Sequence, residues 1–447
     1  MVSSPTGNPV ERFLNIFTEV KTGEAASALL LALNIFLILT AYYVLKPVRE
    51  ALILAGGGAE IKSYAAAGQA LLLLAAVPLY GWLASRVPRR VLINGVTLFF
   101  AGCLLVFYGL AQLQVPLGVV FFLWVGIFNL MVPAQFWAFA NDVYTPETGK
   151  RLFVIVAFGA SCGAVAGSYL DSLLIGPLGV YELMLLAAGI LAVSLLLTNG
   201  VESRERTRGR DETADASTQR AEDEPLPEGN AFALVLRNRY LLLIALLMLV
   251  LNWVNTTGEY ILGRTVVSAA EQAVATGTTS ALTKEEFIGA FYADFFTVVN
   301  LVGLLLQLFV VSRVLKYLGV GVAITILPLI ALGGYLIAAF YPVLTMVRWA
   351  KTAENATDYS LQNTVRQVLF LPTTREQKYK AKQAIDTFFV RAGDVLSAAL
   401  VFTATTWLAF STRDFALFNV GLVTLWVALA ILIGRRYQRL TAPAPTD

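Results

Sequence analysis

The chain has 447 residues, of which 57% are hydrophobic and only 14% charged, with a net charge of +3 and no histidine. A water-soluble fold of this size carries a charged surface of roughly a quarter of its residues, so hydrocarbon must face much of this one. The small net charge argues against a nucleic-acid partner, and the absence of histidine removes the commonest metal ligand and the commonest neutral-pH proton carrier.

Residues 10–21 suit a short interfacial helix, with Val10, Phe13, Leu14 and Phe17 toward lipid. The N-terminus does not run from a basic region through an apolar core to a cleavage site, so no cleaved signal peptide is expected. A helix crossing ~30 Å of hydrocarbon needs about 20 apolar residues. On that measure spans fall near 28–45, 63–84, 91–112, 116–139, 152–171 and 180–198. The second set falls near 240–262, 287–311, 317–340, 343–365, 383–408 and 414–434. The two cysteines, Cys103 and Cys162, lie in apolar runs and offer neither a disulfide framework nor a metal-ligand spacing. No cofactor is expected, and no nucleophile–base pairing or P-loop points to an enzyme.

The count fits the basic residues. With the N-terminus inside, 24 of the 33 Lys and Arg fall in cytoplasmic segments, 6 in outer segments (Lys46, Arg49, Lys62, Arg264, Lys284 and Arg413), and Arg348, Lys351 and Arg391 within spans. This bias places both termini in the cytoplasm, and a bacterial-type inner membrane is the expected location. Residues 200–230 are polar and dense in mixed charge, which reads as a disordered linker. The chain thus divides into a six-helix bundle over 1–199, a linker over 200–238 and a second six-helix bundle over 239–447. Thr283-Lys-Glu-Glu286 has the spacing of a capping box that starts span eight.

The halves match each other weakly and in order. Leu33-Asn34 parallels Leu251-Asn252, Tyr43-Val-Leu-Lys46 parallels Tyr260-Ile-Leu-Gly263 with Arg264 next, and Ser85-Arg86-Val87 parallels Ser312-Arg313-Val314. Such a repeat suggests a carrier of two bundles related by a pseudo-two-fold axis. Gly81-Trp-Leu-Ala-Ser-Arg86-Val-Pro-Arg-Arg90 resembles the G-x-L-a-D-R-x-G-R-R loop of the major facilitator superfamily, with Ser85 for the acid and Pro88 for the glycine. The fold class expected is therefore all-α, integral to the membrane, with twelve major-facilitator-like helices.

An ionisable group at the bilayer centre costs at least ~3 kcal/mol and usually faces a cavity. Span one ends in Tyr42-Tyr43-Val-Leu-Lys46-Pro47-Val-Arg49-Glu50, where Lys46 and Arg49 share a face; snorkelling to the outer surface is the competing reading. Span seven carries Asn252, Asn255, Thr256 and Glu259, then Arg264. A carboxylate at position 259 needs a basic partner or a proton. Span ten holds Arg348, Lys351, Glu354, Asn355, Asp358, Gln362 and Arg366, of which Lys351, Asn355, Asp358 and Gln362 fall within about 60° of one another on a helix. Span eleven offers Lys382, Asp386, Arg391 and Asp394. Ion pairs holding the bundle closed are the bland reading, with Arg348, Glu354, Lys382 and Asp386 as gating pairs.

These segments resemble the nucleotide transporter family of plastids and intracellular bacteria, the ATP/ADP translocases. The family's K-Y-S-L-F-D-P-T-K-E-M-A-Y-I-P-L and K-x-K-G-K-A-A-I-D are similar to Asp358-Tyr-Ser-Leu361-Gln-Asn363-Thr-Val-Arg366-Gln367, Phe370-Leu-Pro372 and Lys380-Ala-Lys382-Gln-Ala-Ile-Asp386. Its F-W-x-F-A-N and A-K-R-F are similar to Phe136-Trp137-Ala-Phe-Ala-Asn141 and Gly149-Lys150-Arg151-Leu152, and its G-S-S-A-E-I to Gly56-Gly-Gly-Ala-Glu60-Ile61. The resemblance implies a major-facilitator fold, exchange of nucleotides, a phosphate-binding cation at Lys46 or Arg49, and an acidic partner at Glu259. It also departs: the family's G-K-S-G in span eleven is Arg391-Ala-Gly393-Asp394 here, so a positive charge becomes negative. That swap weakens a triphosphate site and points to a different anionic or zwitterionic substrate.

The sequence thus leads to an alternating-access carrier of a small anionic solute, ATP/ADP-like or related, working as a single copy in a lipid bilayer. Lys46, Arg49, Arg264, Lys351 and Arg391 supply positive charge, Tyr42, Tyr43 and Trp137 can stack on a base, and Glu259, Asp358 and Asp394 pair with the cations. Asn141, Asn355 and Gln362 complete the polar lining. The alternative is a proton-coupled carrier of another organic solute, its proton borne by Glu259, Asp358 or Asp394.

Overall fold

The computed structural model describes residues 20–21, 24–84, 86–144, 146–208, 231–276, 283–374, 377 and 381–441. Residues 10–19 of the interfacial helix expected over 10–21, Ser85 of the loop motif, Lys380 and residues 209–230 of the expected linker lie outside the described residues.

Helices follow one another almost without interruption, and among the described residues there is no strand. They are α1 (Ala25–Ala84), α2 (Arg89–Gln112), α3 (Gly118–Val143), α4 (Pro146–Leu178) and α5 (Glu182–Arg208), then α6 (Ala231–Arg237) and α7 (Arg239–Ala275). After these come α8 (Lys284–Phe309), α9 (Val311–Tyr317), α10 (Gly319–Phe340), α11 (Leu344–Thr357), α12 (Asn363–Leu369), α13 (Lys382–Ala384), α14 (Val390–Thr406) and α15 (Thr412–Thr441). Wider π turns, Asp358–Gln362 and Ile385–Phe389, join α11 to α12 and α13 to α14. The segment expected as a linker is helical at both ends, through Arg208 and from Ala231.

Among the described residues, ten helices are long and apolar enough to cross a membrane. The first, Ala25–Tyr80, is 56 residues, about twice what a bilayer core needs. It bends at Gly58, whose φ of 72° and ψ of −177° are open only to glycine, so it supplies two spans. The stretch Leu344–Leu369 supplies one more; its charges keep it below an apolar threshold. Twelve spans result among the described residues.

Lys46, Arg49 and Lys62 do not lie in an outer loop as expected, because no loop separates spans one and two. The helix runs through Pro47, whose flanking residues Leu45 and Val48 are buried, and bends only where Gly58 permits a positive φ. Lys46 and Lys62 are themselves buried, so Lys46 does not snorkel.

The chain forms two compact units. One comprises Met1–Leu52, Ala75–Thr218 and Tyr292–Thr297, and the other Ile53–Leu74, Gln219–Phe291 and Val298–Asp447. In the first, α1 and α4 run parallel at close range. A Cβ on Gly159, Gly163 or Gly167 would strike the backbone of Ala32, Phe36 or Thr40 respectively, each pair 127 positions apart. Glu24 and Arg151, also 127 apart, close the same seam with a two-pronged ion pair at 3.0 and 3.2 Å. Small residues at every fourth position let two backbones meet, which is how helices associate in lipid. In the second unit, α14 meets α7 in the same way: a Cβ on Gly393 would lie 2.8 Å from the Trp253 amide nitrogen. The capping box expected at Thr283 and Glu286 is present in both directions.

Candidate functional site

The second unit gathers the polar residues of spans seven and ten into one network. Lys351 Nζ lies 2.9 Å from Glu354 Oε1, 3.1 Å from Asn255 Oδ1 and 3.5 Å from Glu259 Oε1. Glu259 also accepts from Asn355 Nδ2 at 3.2 Å, and its other oxygen lies 3.8 Å from Lys62 Nζ. Glu259 therefore bridges two ammonium groups. Tyr335 donates to Glu354 Oε1 at 3.2 Å or to the Val254 carbonyl at 3.3 Å.

Local structure explains how this network fits. Lys351 and Glu354 are three apart on α11 and so share a face. Gly258 on α7 leaves the gap that the Tyr335 hydroxyl fills; a Cβ there would overlap that hydroxyl and stand 3.0 Å from Lys351 Nζ. A residual cavity of about 10 Å³ lies beside Gly258, Tyr335, Lys351 and Glu354, room for at most one water. The side chains of Lys351 and Glu354 are 3% and 5% exposed, whereas that of Glu259 is 23% exposed. Lys351–Glu354 is thus a short, buried, hydrogen-bonded pair. Glu259 holds its lysines over longer contacts at the wetter edge, and it is the member that an incoming anion can displace at least cost.

Neighbouring groups extend the polar surface. Asp394 Oδ1 accepts from Asn252 Nδ2 at 2.8 Å and Thr256 Oγ1 at 2.7 Å, and its Oδ2 lies 3.2 Å from Arg391 Nη1. Arg264 donates to the Phe410 carbonyl at 3.0 Å and stands beside Tyr260, which donates to Glu60 at 2.8 Å. Asp358 opens the first π turn, and Gln362, fully buried, closes it. Such turns recur where helices do more than pack.

Of the residues expected in gating pairs, Glu354 pairs with Lys351 as above. Lys382 donates to Gln367 Oε1 at 2.6 Å, while Asp386 pairs with Arg366 at 2.9 Å. Arg348 lies over the Phe291 ring, 5.7 Å from its centroid.

In the first unit Lys46 sits over the Phe296 ring at 3.8 Å and near Tyr43 at 5.2 Å. Tyr43 packs edge-on to Tyr42, and Arg49 lies over Phe122 while hydrogen-bonding Glu50. Trp137 and Asn141 do not join them. Trp137 packs edge-on to Phe136 and Phe153, and Phe153 lies level with residue 26 in the seam between α1 and α4. Tyr43 is 17 residues further on, about 25 Å along the helix. Asn141 is exposed near the end of α3.

Sequence reasoning missed Lys62, Tyr335 and Asp171. Lys62 follows Gly56-Gly57-Gly58 by four residues, where the sequence suits a loop, and so gave no signal. Tyr335 stands alone in an apolar span and gave none. Asp171 is fully buried on α4 with neither carboxylate oxygen hydrogen-bonded, on the same face as Gly159, Gly163 and Gly167.

Two comparisons bear on this geometry. The family model described as Major Facilitator Superfamily matches residues 28–353. The chain belongs to the Major Facilitator Superfamily. Solved structures with the same fold include a bacterial homologue of the human lysosomal transporter Spinster, inward-facing and unoccupied. It shares 15% identity at a TM-score of 0.62, over 96% of this chain and 100% of that one. The nucleoside transporter NupG shares 10% identity at a TM-score of 0.61, over 94% and 100%. A POT family transporter in complex with 5-aminolevulinic acid shares 13% at 0.62, over 93% and 97%. No curated protein sequence matches the chain. This superfamily member is a multi-pass membrane protein and a secondary transporter of a small molecule.

Proposed function

We propose that the protein carries a small phosphorylated anion, of the nucleotide class or close to it, by alternating access, and exchanges it across the membrane. The observation that supports this is the bridging position of Glu259 between Lys62 and Lys351. A solute phosphate or carboxylate competes with Glu259 for the same two ammonium groups. Binding frees Glu259, and the freed carboxylate changes which packing of the unit is preferred. Asn255 and Asn355 offer further hydrogen bonds to the solute. Lys46 and Arg49 together are the cations proposed for the other unit.

The test is counter-substrate exchange in proteoliposomes preloaded with ATP or ADP and supplied with labelled nucleotide. Saturable uptake that requires internal nucleotide supports the proposal. Uptake of no nucleotide, or uptake indifferent to what is inside, overturns it.

Proton coupling is a second reading, supported by Asp358, whose carboxylate has no hydrogen bond among the described residues. Uptake that follows a pH gradient and loses that response in Glu259→Gln or Asp358→Asn favours it.

A further inference from the structure

A second basic cluster lies apart from the Lys351 network. At the corner between α6 and α7, Arg237 ends one helix, Asn238 turns the chain with φ −99° and ψ 111°, and Arg239 starts the next. Arg436 reaches the same place from α15 and Gln377 from the segment before α13. Together with Leu234 these groups line a cavity of about 670 Å³. That volume is in the range that holds a small ligand.

Three features distinguish this concavity from the ordinary scatter of basic residues at helix ends. Its polar lining comes from chain segments far apart in sequence, whereas the positive-inside pattern asks only for charge near the surface. None of the three guanidiniums has a carboxylate partner among the described residues, although Arg151, Lys284 and Arg366 elsewhere do have one. The positive end of α7, a helix of 37 residues, opens at the same corner. There the Asn238 side-chain oxygen already accepts from the amides of Tyr240 and Leu241. Asn238 itself lines the cavity. Guanidiniums, side-chain amides and a helix N-terminus, with no acid among the described lining residues, are the chemistry of a phosphate site.

We propose that this cavity binds a phosphate group, carried either by the headgroup of an anionic phospholipid or by a free phosphorylated solute. The proposal does not depend on the solute-binding role given to Lys351.

The test uses the full chain, with Arg237→Gln/Arg436→Gln and Arg239→Gln as variants. All three arginines are exposed, so these variants retain the fold, and an unchanged thermal midpoint without ligand checks this. One arm titrates inorganic phosphate in detergent at constant ionic strength and follows the midpoint. The other counts retained phospholipids by native mass spectrometry after passage through nanodiscs of phosphatidylcholine with phosphatidylglycerol. A saturable midpoint rise that the arginine variants lose, and that Lys351→Gln keeps, assigns a free phosphate. Loss of one retained phosphatidylglycerol in the arginine variants, with no phosphate response, assigns a headgroup. Equal behaviour of wild type and arginine variants in both arms overturns the proposal, and so does a phosphate response lost in Lys351→Gln alone.

Discussion

Replacing Gly258 by Ala probes the packing of the Lys351 network most sharply. The added methyl overlaps the Tyr335 hydroxyl and comes within 3.0 Å of Tyr335 Cζ and of Lys351 Nζ. Tyr335 is 3% exposed, so its ring has no free space to move into. Overpacking of this kind costs about 1–3 kcal/mol. Driving the hydroxyl from Glu354 forfeits a hydrogen bond to a charged group, worth about 1.5–3 kcal/mol. Alanine returns about 1 kcal/mol through its better helix propensity. The net expectation is a loss of about 2–4 kcal/mol. Removing the hydroxyl with Tyr335→Phe loses the hydrogen bond but makes room for the methyl. The double variant Gly258→Ala/Tyr335→Phe is therefore expected to be more stable than the sum of the single effects by about 2 kcal/mol. Equilibrium unfolding in mixed micelles measures each corner of that cycle, and uptake in proteoliposomes follows the site. Additive losses within about 0.5 kcal/mol would show that Gly258 is not reserved for Tyr335, and would refute the packing argument.

Gly163→Ala pushes a methyl into the Phe36 carbonyl across the α1–α4 seam, and is expected to lower the thermal midpoint far more than Gly102→Ala, where a Cβ meets nothing within 4 Å. At the foot of that seam, burial tends to raise the Glu24 carboxyl, but the hydrogen bonds from Arg151 and from the Lys21 amide outweigh it and hold it below its usual value. A depressed carboxyl stabilises the fold above its unfolded value of about 4.5, and that contribution is lost as pH falls through the folded value. Unfolding followed from pH 7 to pH 3 should thus show a smaller acid-side loss in Glu24→Gln than in wild type. Finally, Lys382→Gln, whose lysine bonds a neutral amide, is expected to change stability less than Asp386→Asn, which leaves Arg366 without its carboxylate; chemical unfolding of the two variants side by side checks the order.

Spans were legible because the bilayer sets one length and one polarity for every helix, so composition alone finds them. Tertiary exceptions were not. The uninterrupted α1 hid the boundary between two spans, since only the backbone of Gly58 marks it and glycine occurs throughout such helices. Lys351, Asn355 and Glu259 were readable from helical spacing and from the cost of charge in hydrocarbon. Lys62 was not, because its place in the sequence suits a loop and only the bend at Gly58 turns it toward Glu259. Tyr335 and Asp171 depend on which faces of helices meet. Which residue of span ten each polar group of span eleven meets, such as Asp386 with Arg366, was likewise set by helix packing and not by spacing.

The most direct test of the account is anion binding by two isosteric variants on either side of one ion pair. Glu259 is held to compete with the solute, and Lys351 to bind it. Titration of the purified protein with a nucleotide, read as heat or as thermal shift, should show affinity rising about tenfold in Glu259→Gln, a gain of ~1.4 kcal/mol, and falling in Lys351→Gln. Affinity that falls in both variants alike would mean that the pair only braces the helices, and would contradict the account.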